Sequence, residues 1–265
     1  MRLEGCHALI TGASAGIGRE FARQLAGRAA TLLLVARRQN RLEELSAELR
    51  AKHPRLRVEI RRTDLSQSDE VDALIGWATA QMPMLDLLVN NAGLGDLGAF
   101  ATAEPERIDQ IMRVNMIALT RLTRGLLSGM IAQKRGAILN VSSSASFLPI
   151  ANFAVYAATK AYVTSLSEAL RSELRGHGIE VTALCPGPVA TEFMEMAHRK
   201  GGAQDTAPDF VYVPVERVVT DALRGLEARK AIVIPGWAMK LGMTIVRLTP
   251  LALLRLASRF SAKPA

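Results

Sequence analysis

Apolar residues along the chain fall into short dense runs, separated by longer stretches in which they recur every three to four positions. The runs are His7 to Thr11, Thr31 to Ala36, Arg57 to Arg61, Leu85 to Asn90, Ala137 to Ser142, Glu180 to Pro186 and Ala231 to Ile234, which predict seven strands. The gaps carry helical patterns. One follows Gly18 with Phe21 and Leu25, and another runs from Arg41 to Ala51 with Leu42, Leu45 and Leu49 on one face. Three more cover Asp69 to Gln81, Pro105 to Gln133 and Tyr156 to Arg175. Parallel neighbours need a crossover, so this alternation predicts an α/β domain with a doubly wound parallel seven-stranded sheet and helices on both faces. Ligands of such sheets bind beyond the carboxyl ends of the strands. The residues that follow each run are therefore the ones to read for chemistry.

The first strand runs into Thr11-Gly12-Ala13-Ser14-Ala15-Gly16-Ile17-Gly18. Glycines here let the chain turn tightly and bring backbone N–H groups at a helix N-terminus close to a pyrophosphate. The spacing departs from the common dinucleotide fingerprint, because three residues separate the first two glycines here and one does there. The second strand ends in Arg37-Arg38, where an NAD site would carry a carboxylate roughly 20 residues beyond the glycines. A guanidinium holds a 2′-phosphate by forked, charge-assisted bonds, so the pair favours NADP(H), with Arg37 the main contact and Arg38 adding to the field. Further polar motifs follow later strands: Asp64-Leu65, Asn90-Asn91-Ala92-Gly93, Ser142-Ser143-Ser144 and Pro186-Gly187-Pro188-Val189-Ala190-Thr191. Tyr156 and Lys160 stand four apart at the start of a helical pattern, on one face. An ammonium beside a phenol is expected to lower the phenol pKa and make it a usable proton donor near neutrality.

In this order the motifs resemble the short-chain dehydrogenase/reductase family, over Gly5 to about Ile234. The resemblance implies a Rossmann-type catalytic domain at 1–234 with a lid near 191–213. It implies that Ser143 positions a substrate carbonyl, Tyr156 is the general acid/base, Lys160 binds the nicotinamide ribose and lowers the tyrosine pKa, and Asn115 supports a proton relay. Gly12, Ser14, Gly16, Ile17, Gly18, Arg37, Asp64, Leu65, Asn91, Ala92 and Gly93 match cofactor-binding positions on the adenosine and phosphate side. Pro186, Gly187, Val189 and Thr191 match those near the nicotinamide, where Tyr156 and Lys160 also contact the cofactor. A basic residue at Ser14 or Ala15, found in some NADP-using members, is missing. The implied reaction interconverts a ketone and a secondary alcohol, and the implied assembly is a homodimer or homotetramer built on the long helices.

Composition narrows the remaining possibilities. Two cysteines among 265 residues make no disulfide framework, and no cysteine–histidine cluster has metal-site spacing, so no metal is expected. The net charge of +8 suits an anionic partner. Nucleic acid is not expected, because no binding motif accompanies the charge and only 5% of residues are aromatic. An apolar pattern begins almost at once and no run reaches the roughly 18 residues of a spanning helix, so the expected location is cytoplasmic.

The loops Leu94 to Phe100, Ser144 to Val155 and Phe193 to about Val213 bring Leu97, Phe147, Ile150, Phe153, Phe193, Met194 and Phe210 near the site. They predict an apolar, lipid-, steroid- or acyl-like substrate. Residues 236–265 carry Lys240, Arg247, Arg255, Arg259 and Lys263 with no acidic residue, and their pattern predicts two basic amphipathic helices, Ala238 to Leu248 and Pro250 to Phe260. This extension either contacts a membrane surface or packs on the pocket or a subunit. Beside the ketoreductase stand two alternatives: a cofactor-binding sensor or scaffold without turnover, and a membrane-docked lipid ketoreductase.

Overall fold

The computed structural model describes residues 3–199, 211–250 and 252–253. Its seven strands, β1 (His7–Thr11), β2 (Thr31–Ala36), β3 (Arg57–Arg62), β4 (Leu87–Asn90), β5 (Gly136–Val141), β6 (Ile179–Leu184) and β7 (Ile232–Val233), form one sheet. All its pairings are parallel, in the order β3-β2-β1-β4-β5-β6-β7. Helices α1 (Gly16–Ala26), α2 (Gln39–Lys52), α3 (Ser68–Gln81), α4 (Pro105–Met112), α5 (Leu119–Ala132), α6 (Ala154–Leu174), α7 (Glu192–Ala197), α8 (Val215–Glu227) and α9 (Trp237–Leu248) surround it.

Every residue of β2 and β5 is buried, as expected of central strands covered on both faces. Successive side chains of a strand point to opposite faces, and the core divides accordingly. Ile10 and Leu34 join Phe21 and Leu25 of α1 and Val218 of α8 on one side. Leu9 and Leu33 join Leu74 of α3 and Leu122 of α5 on the other. The strand order reverses between β1 and β4, which opens a crevice at their carboxyl ends.

Most element boundaries differ from the predicted ones by a residue or two, and two departures stand out. β4 starts at Leu87, and Asp86 just before it ties to His7 twice, its N–H donating to the His7 carbonyl and its carboxylate accepting from the His7 N–H, each at 2.9 Å. The single helical stretch predicted over Pro105 to Gln133 is interrupted by a wider π turn at Arg113–Ala118. Asn115 lies in that turn, and its side chain bonds both the N–H and the C=O of Leu94 at 2.8 and 2.9 Å. Such a turn re-aims one side chain without ending the helix. At the C-terminus α9 begins at Trp237. Most of the second helix predicted there, and residues 200–210 of the expected lid including Phe210, lie outside the described residues.

Candidate active site

The glycine-rich turn leaves β1 with Gly12 at φ +66° and Gly16 at φ +50°, a left-handed region that side chains disfavour. A Cβ on Gly12 would stand 2.9 Å from the Ala92 Cα, and one on Gly18 would meet the Gly12 carbonyl oxygen at 2.3 Å. The turn therefore closes on itself and on the β4 loop. Thr11 joins these segments: its hydroxyl donates to the Val89 carbonyl at 3.3 Å and accepts from the N–H groups of Asn91 and Ala92, each at 3.0 Å. Asn91 answers by donating to the Thr11 and Gly12 carbonyls at 2.9 and 3.3 Å. Its amide is thus committed to shaping the turn.

Beyond this turn lies a cleft of about 410 Å³. Gly12, Ser14, Gly16 and Ile17 line one end, with Arg37, Arg38, Asp64 and Leu65 beside them. Asn91, Ala92 and Gly93 form its floor, and Pro186, Gly187, Val189 and Thr191 line the β6 side. Ser143, Tyr156 and Lys160 stand at the other end with Leu97, Ile150, Phe153, Phe193 and Met194. Of the predicted site residues, Gly18 and Asn115 are not among the lining residues. Gly18 packs under the turn, and Asn115 acts behind the wall through Leu94 and through a 2.9 Å bond to Thr159.

Tyr156 lies in the first turn of α6, stacked on Phe153 with ring centroids 4.2 Å apart and tilted against Phe193 at 5.3 Å. The Ser143 hydroxyl stands close enough to the phenol to pull its pKa down, so two hydroxyls face one point of the cleft. Lys160, one turn further on, is buried; its Nζ donates to the Val141 carbonyl at 2.8 Å and lies 5.6 Å from the Tyr156 ring centroid. A Cβ on Gly93 would come 3.4 Å from that Nζ and 3.6 Å from the Asn115 Oδ1, both ordinary van der Waals distances, so the β4 loop passes beside both groups.

The electrostatics differ from the expectation that Lys160 lowers the tyrosine pKa. Burial pushes the Tyr156 phenol up to about 12, against a lowering pull from the Ser143 hydroxyl. Burial likewise brings Lys160 down to about 8. Desolvation outweighs the pairing because it disfavours both charged forms, and the ammonium is held by a carbonyl beyond hydrogen-bond reach of the ring centre.

At the opposite end Arg37 is exposed, and no hydrogen bond or ion pair engages its guanidinium among the described residues. Arg38 and Arg41 both hold the carboxylate of Glu192, at 2.8 and 2.5 Å, and Arg38 also reaches the Ser14 hydroxyl at 3.4 Å. Glu192 is the first residue of α7, so this ion pair spans the cleft from the β2 end to the lid. Sequence reasoning missed Glu192 and Arg41, whose only signal was opposite charge in the first turns of two helices, α7 and α2, that follow strand ends. The other end of α7 is fastened too: the Leu97 N–H donates to the Ala197 carbonyl at 2.7 Å, and Arg199 grips Asp96 through two bonds of 2.8 and 2.6 Å. Phe147, expected in the substrate pocket, instead lies under the Arg247 guanidinium at 5.3 Å.

A parallel sheet with its glycine turn at the reversal point, and a tyrosine and lysine one helical turn apart in the same cleft, define a nucleotide-binding α/β protein with an acid/base site. The chain matches the short chain dehydrogenase family over residues 6–201 and belongs to the short-chain dehydrogenase/reductases. It is 34% identical over 226 residues to a very-long-chain 3-oxoacyl-CoA reductase of Phaeosphaeria nodorum, covering 77% of this chain and 66% of that protein. The chain thus spans just under two thirds of that relative. A very-long-chain 3-oxoacyl-CoA reductase-like protein of Arabidopsis thaliana is 34% identical over 93% of this chain and 78% of its own length. Among solved structures, a short-chain dehydrogenase from Sphingobium yanoikuyae in complex with NADPH is 31% identical, with a TM-score of 0.80 over 98% of this chain and 97% of that one.

Proposed function

We propose that this chain is an NADP(H)-dependent oxidoreductase that interconverts a ketone and a secondary alcohol on an apolar, acyl-like substrate. The observation that carries this reading is the convergence of the Ser143 and Tyr156 hydroxyls at the apolar end of a cleft whose other end presents Arg37.

The residues present fit a dinucleotide. Gly12 and Gly16 line the cleft in a turn packed so closely on Ala92 and Thr191 that a Cβ at either would crowd them, and the N-terminus of α1 directs N–H groups toward a phosphate. Gly12, Ser14, Gly16 and Ile17 would hold the phosphates, Asp64 and Leu65 the adenine side, and Val189 and Thr191 the carboxamide. When bound, the nicotinamide supplies the hydride. The chain's own residues do the rest. Ser143 orients the substrate oxygen by a hydrogen bond, while Tyr156 holds at its Oη the proton that oxygen gains on reduction and takes it back on oxidation. Lys160, anchored on Val141, is placed to bind a ribose and to supply positive charge below the phenol. Asn115 is a positioning residue, because it fixes the Leu94 backbone through both its N–H and its C=O. Phe153 and Phe193 pack around the phenol and exclude water from it.

NADP(H) in place of NAD(H) is supported by the unpaired Arg37 and by the NADPH complex of the Sphingobium neighbour. The acyl-like substrate is supported by the apolar lining and by the names of the fungal and plant relatives. Exposed Ile117 beside α5 and Tyr162 on α6 support self-association through those helices. The test is NADPH oxidation by purified protein against ketones and 3-oxoacyl thioesters, wild type beside Tyr156→Phe. Consumption that depends on Tyr156 establishes the reading, whereas tight NADPH binding with no turnover of any carbonyl would favour a cofactor-binding sensor.

A further inference from the structure

Helix α9 buries none of its residues completely, yet it is not loose. Met239 sits at the Pro186–Gly187 turn, where a Cβ on Gly187 would meet its Cε at 2.5 Å. Arg247 covers the Phe147 ring at 5.3 Å and pairs with Glu168 of α6 at 3.8 Å. One side of the helix thus rests on the outer wall of the nicotinamide end of the cleft.

The other side presents large apolar groups to solvent. Trp237 is 83% exposed, Leu241 56%, Ile245 58% and Leu248 80%. At about 100° per residue these four side chains fall within an arc of about 80°, so they make a continuous outward stripe. Lys240 lies along one flank of it, while Arg247, further round on the same side, is turned onto Phe147 and Glu168. Residues 236–265 add Arg255, Arg259 and Lys263 and contain no aspartate or glutamate.

We propose that this outward face of α9 is a docking surface for an anionic lipid bilayer. An apolar stripe with a tryptophan at one end and Lys240 on its flank fits the boundary between acyl chains and headgroups, where the ammonium reaches anionic phosphates while the stripe enters the hydrocarbon. Charge chooses this occupant over a second copy of the chain, because two such faces would bring like-charged segments together in a molecule that already carries +8. No helix among the described residues is long and apolar enough to cross a membrane, so the contact is peripheral. Because α9 lies against the cleft wall, docking would hold the apolar entrance near the lipid phase. That consequence rests on the ketoreductase reading, but the docking itself does not.

The experiment is co-sedimentation of the full chain with vesicles of phosphatidylcholine alone or mixed with phosphatidylglycerol, without substrate or cofactor. A parallel emission measurement uses a Trp77→Phe background, which leaves Trp237 as reporter. The expected result is binding to the anionic vesicles only, weakened by salt, with a blue shift of Trp237 emission. Leu241→Glu with Ile245→Glu should reduce binding at least about tenfold while leaving NADPH affinity and melting temperature unchanged, and Lys240→Glu should weaken it less. Failure of the wild type to sediment, or sedimentation that the double variant does not alter, overturns the proposal. So does an oligomer that the double variant dissociates while neither form binds vesicles, which would give the stripe to a second copy. Turnover plays no part in any arm, so a wrong substrate class leaves the result readable.

Discussion

The Glu192 carboxylate accepts a hydrogen bond from Arg38 at 2.8 Å, joining the first residue of the lid helix to the residue that follows Arg37 at the end of β2. The same carboxylate takes Arg41 at 2.5 Å, and the two cations hold it below the usual carboxylate range. A resident anion thus occupies two of the three guanidiniums at the end of the cleft where a 2′-phosphate would arrive. Glu192→Gln frees them. NADPH affinity should rise roughly 2- to 5-fold, the modest scale of a half-exposed ion pair, with NADH affinity unchanged. Fluorescence titration with both cofactors checks it, and weaker NADPH binding would mean that Glu192 clamps the lid over the cofactor instead.

Arg37 is the guanidinium left without a partner among the described residues. Arg37→Asp puts a carboxylate where a 2′-phosphate would be met and where a ribose hydroxyl could be held instead. The preference for NADP over NAD should reverse, read as the ratio of the two kcat/KM values. An unchanged ratio would transfer the role to Arg38 or Arg41.

Removal of the Tyr156 hydroxyl deletes the proposed proton donor beside Ser143, while the ring and its stacking on Phe153 remain. Tyr156→Phe should lower kcat by roughly 10²- to 10⁴-fold, the range for a positioned acid. NADPH affinity should change little. Wild-type turnover would remove Tyr156 from the role.

Burial of Lys160 has a consequence for stability that requires no substrate. Its pKa in the folded chain is about 8 against an ordinary 10.5, so between those values the unfolded chain binds the extra proton and stability rises with pH. Tyr156 acts in the opposite sense above pH 10, because its folded pKa of about 12 lies above the ordinary 10.0 and stability falls as the unfolded phenol ionises. Buried Cys6 and Cys185, whose thiols are also pushed up from 9.0, oppose this gain above pH 9, so the Lys160 contribution is read as a difference between wild type and Lys160→Met. In urea unfolding without cofactor that difference should grow between pH 8 and 10, by about 3 kcal/mol at most. Parallel pH profiles of the two proteins would show that Lys160 is solvated.

The architecture was legible because burial on both faces of a parallel sheet leaves a pattern that few other folds share: β2 and β5 are buried throughout and apolar but for Thr31 and Asn140, and the helices between strands carry one apolar face. The catalytic constellation was legible for a related reason. Backbone turns and close approaches require particular residues, so Gly12 and Gly16 announce a turn, and a tyrosine and lysine four apart on a helix must share a face. Glu192 and Arg41 left no such trace. Their pairing joins the first turns of two helices 151 residues apart, and a glutamate after Thr191 reads as an ordinary helix-opening acid.

From the sequence alone came the α/β class, the strand-end positions that matter for chemistry, the family and the basic amphipathic character of the C-terminus, because each is written in local spacing or composition. Tertiary structure decided what depends on distance and desolvation. It showed that burial raises the Tyr156 pKa where a neighbouring charge was expected to lower it, and that Asn115 works from behind the wall through Leu94. It also showed that a lid carboxylate already occupies two arginines, and that α9 turns Trp237, Leu241, Ile245 and Leu248 outward. A hydrogen bond, an ion pair or a desolvated ammonium is set by what the fold brings within a few ångströms, and that proximity is not encoded at any one position of the chain.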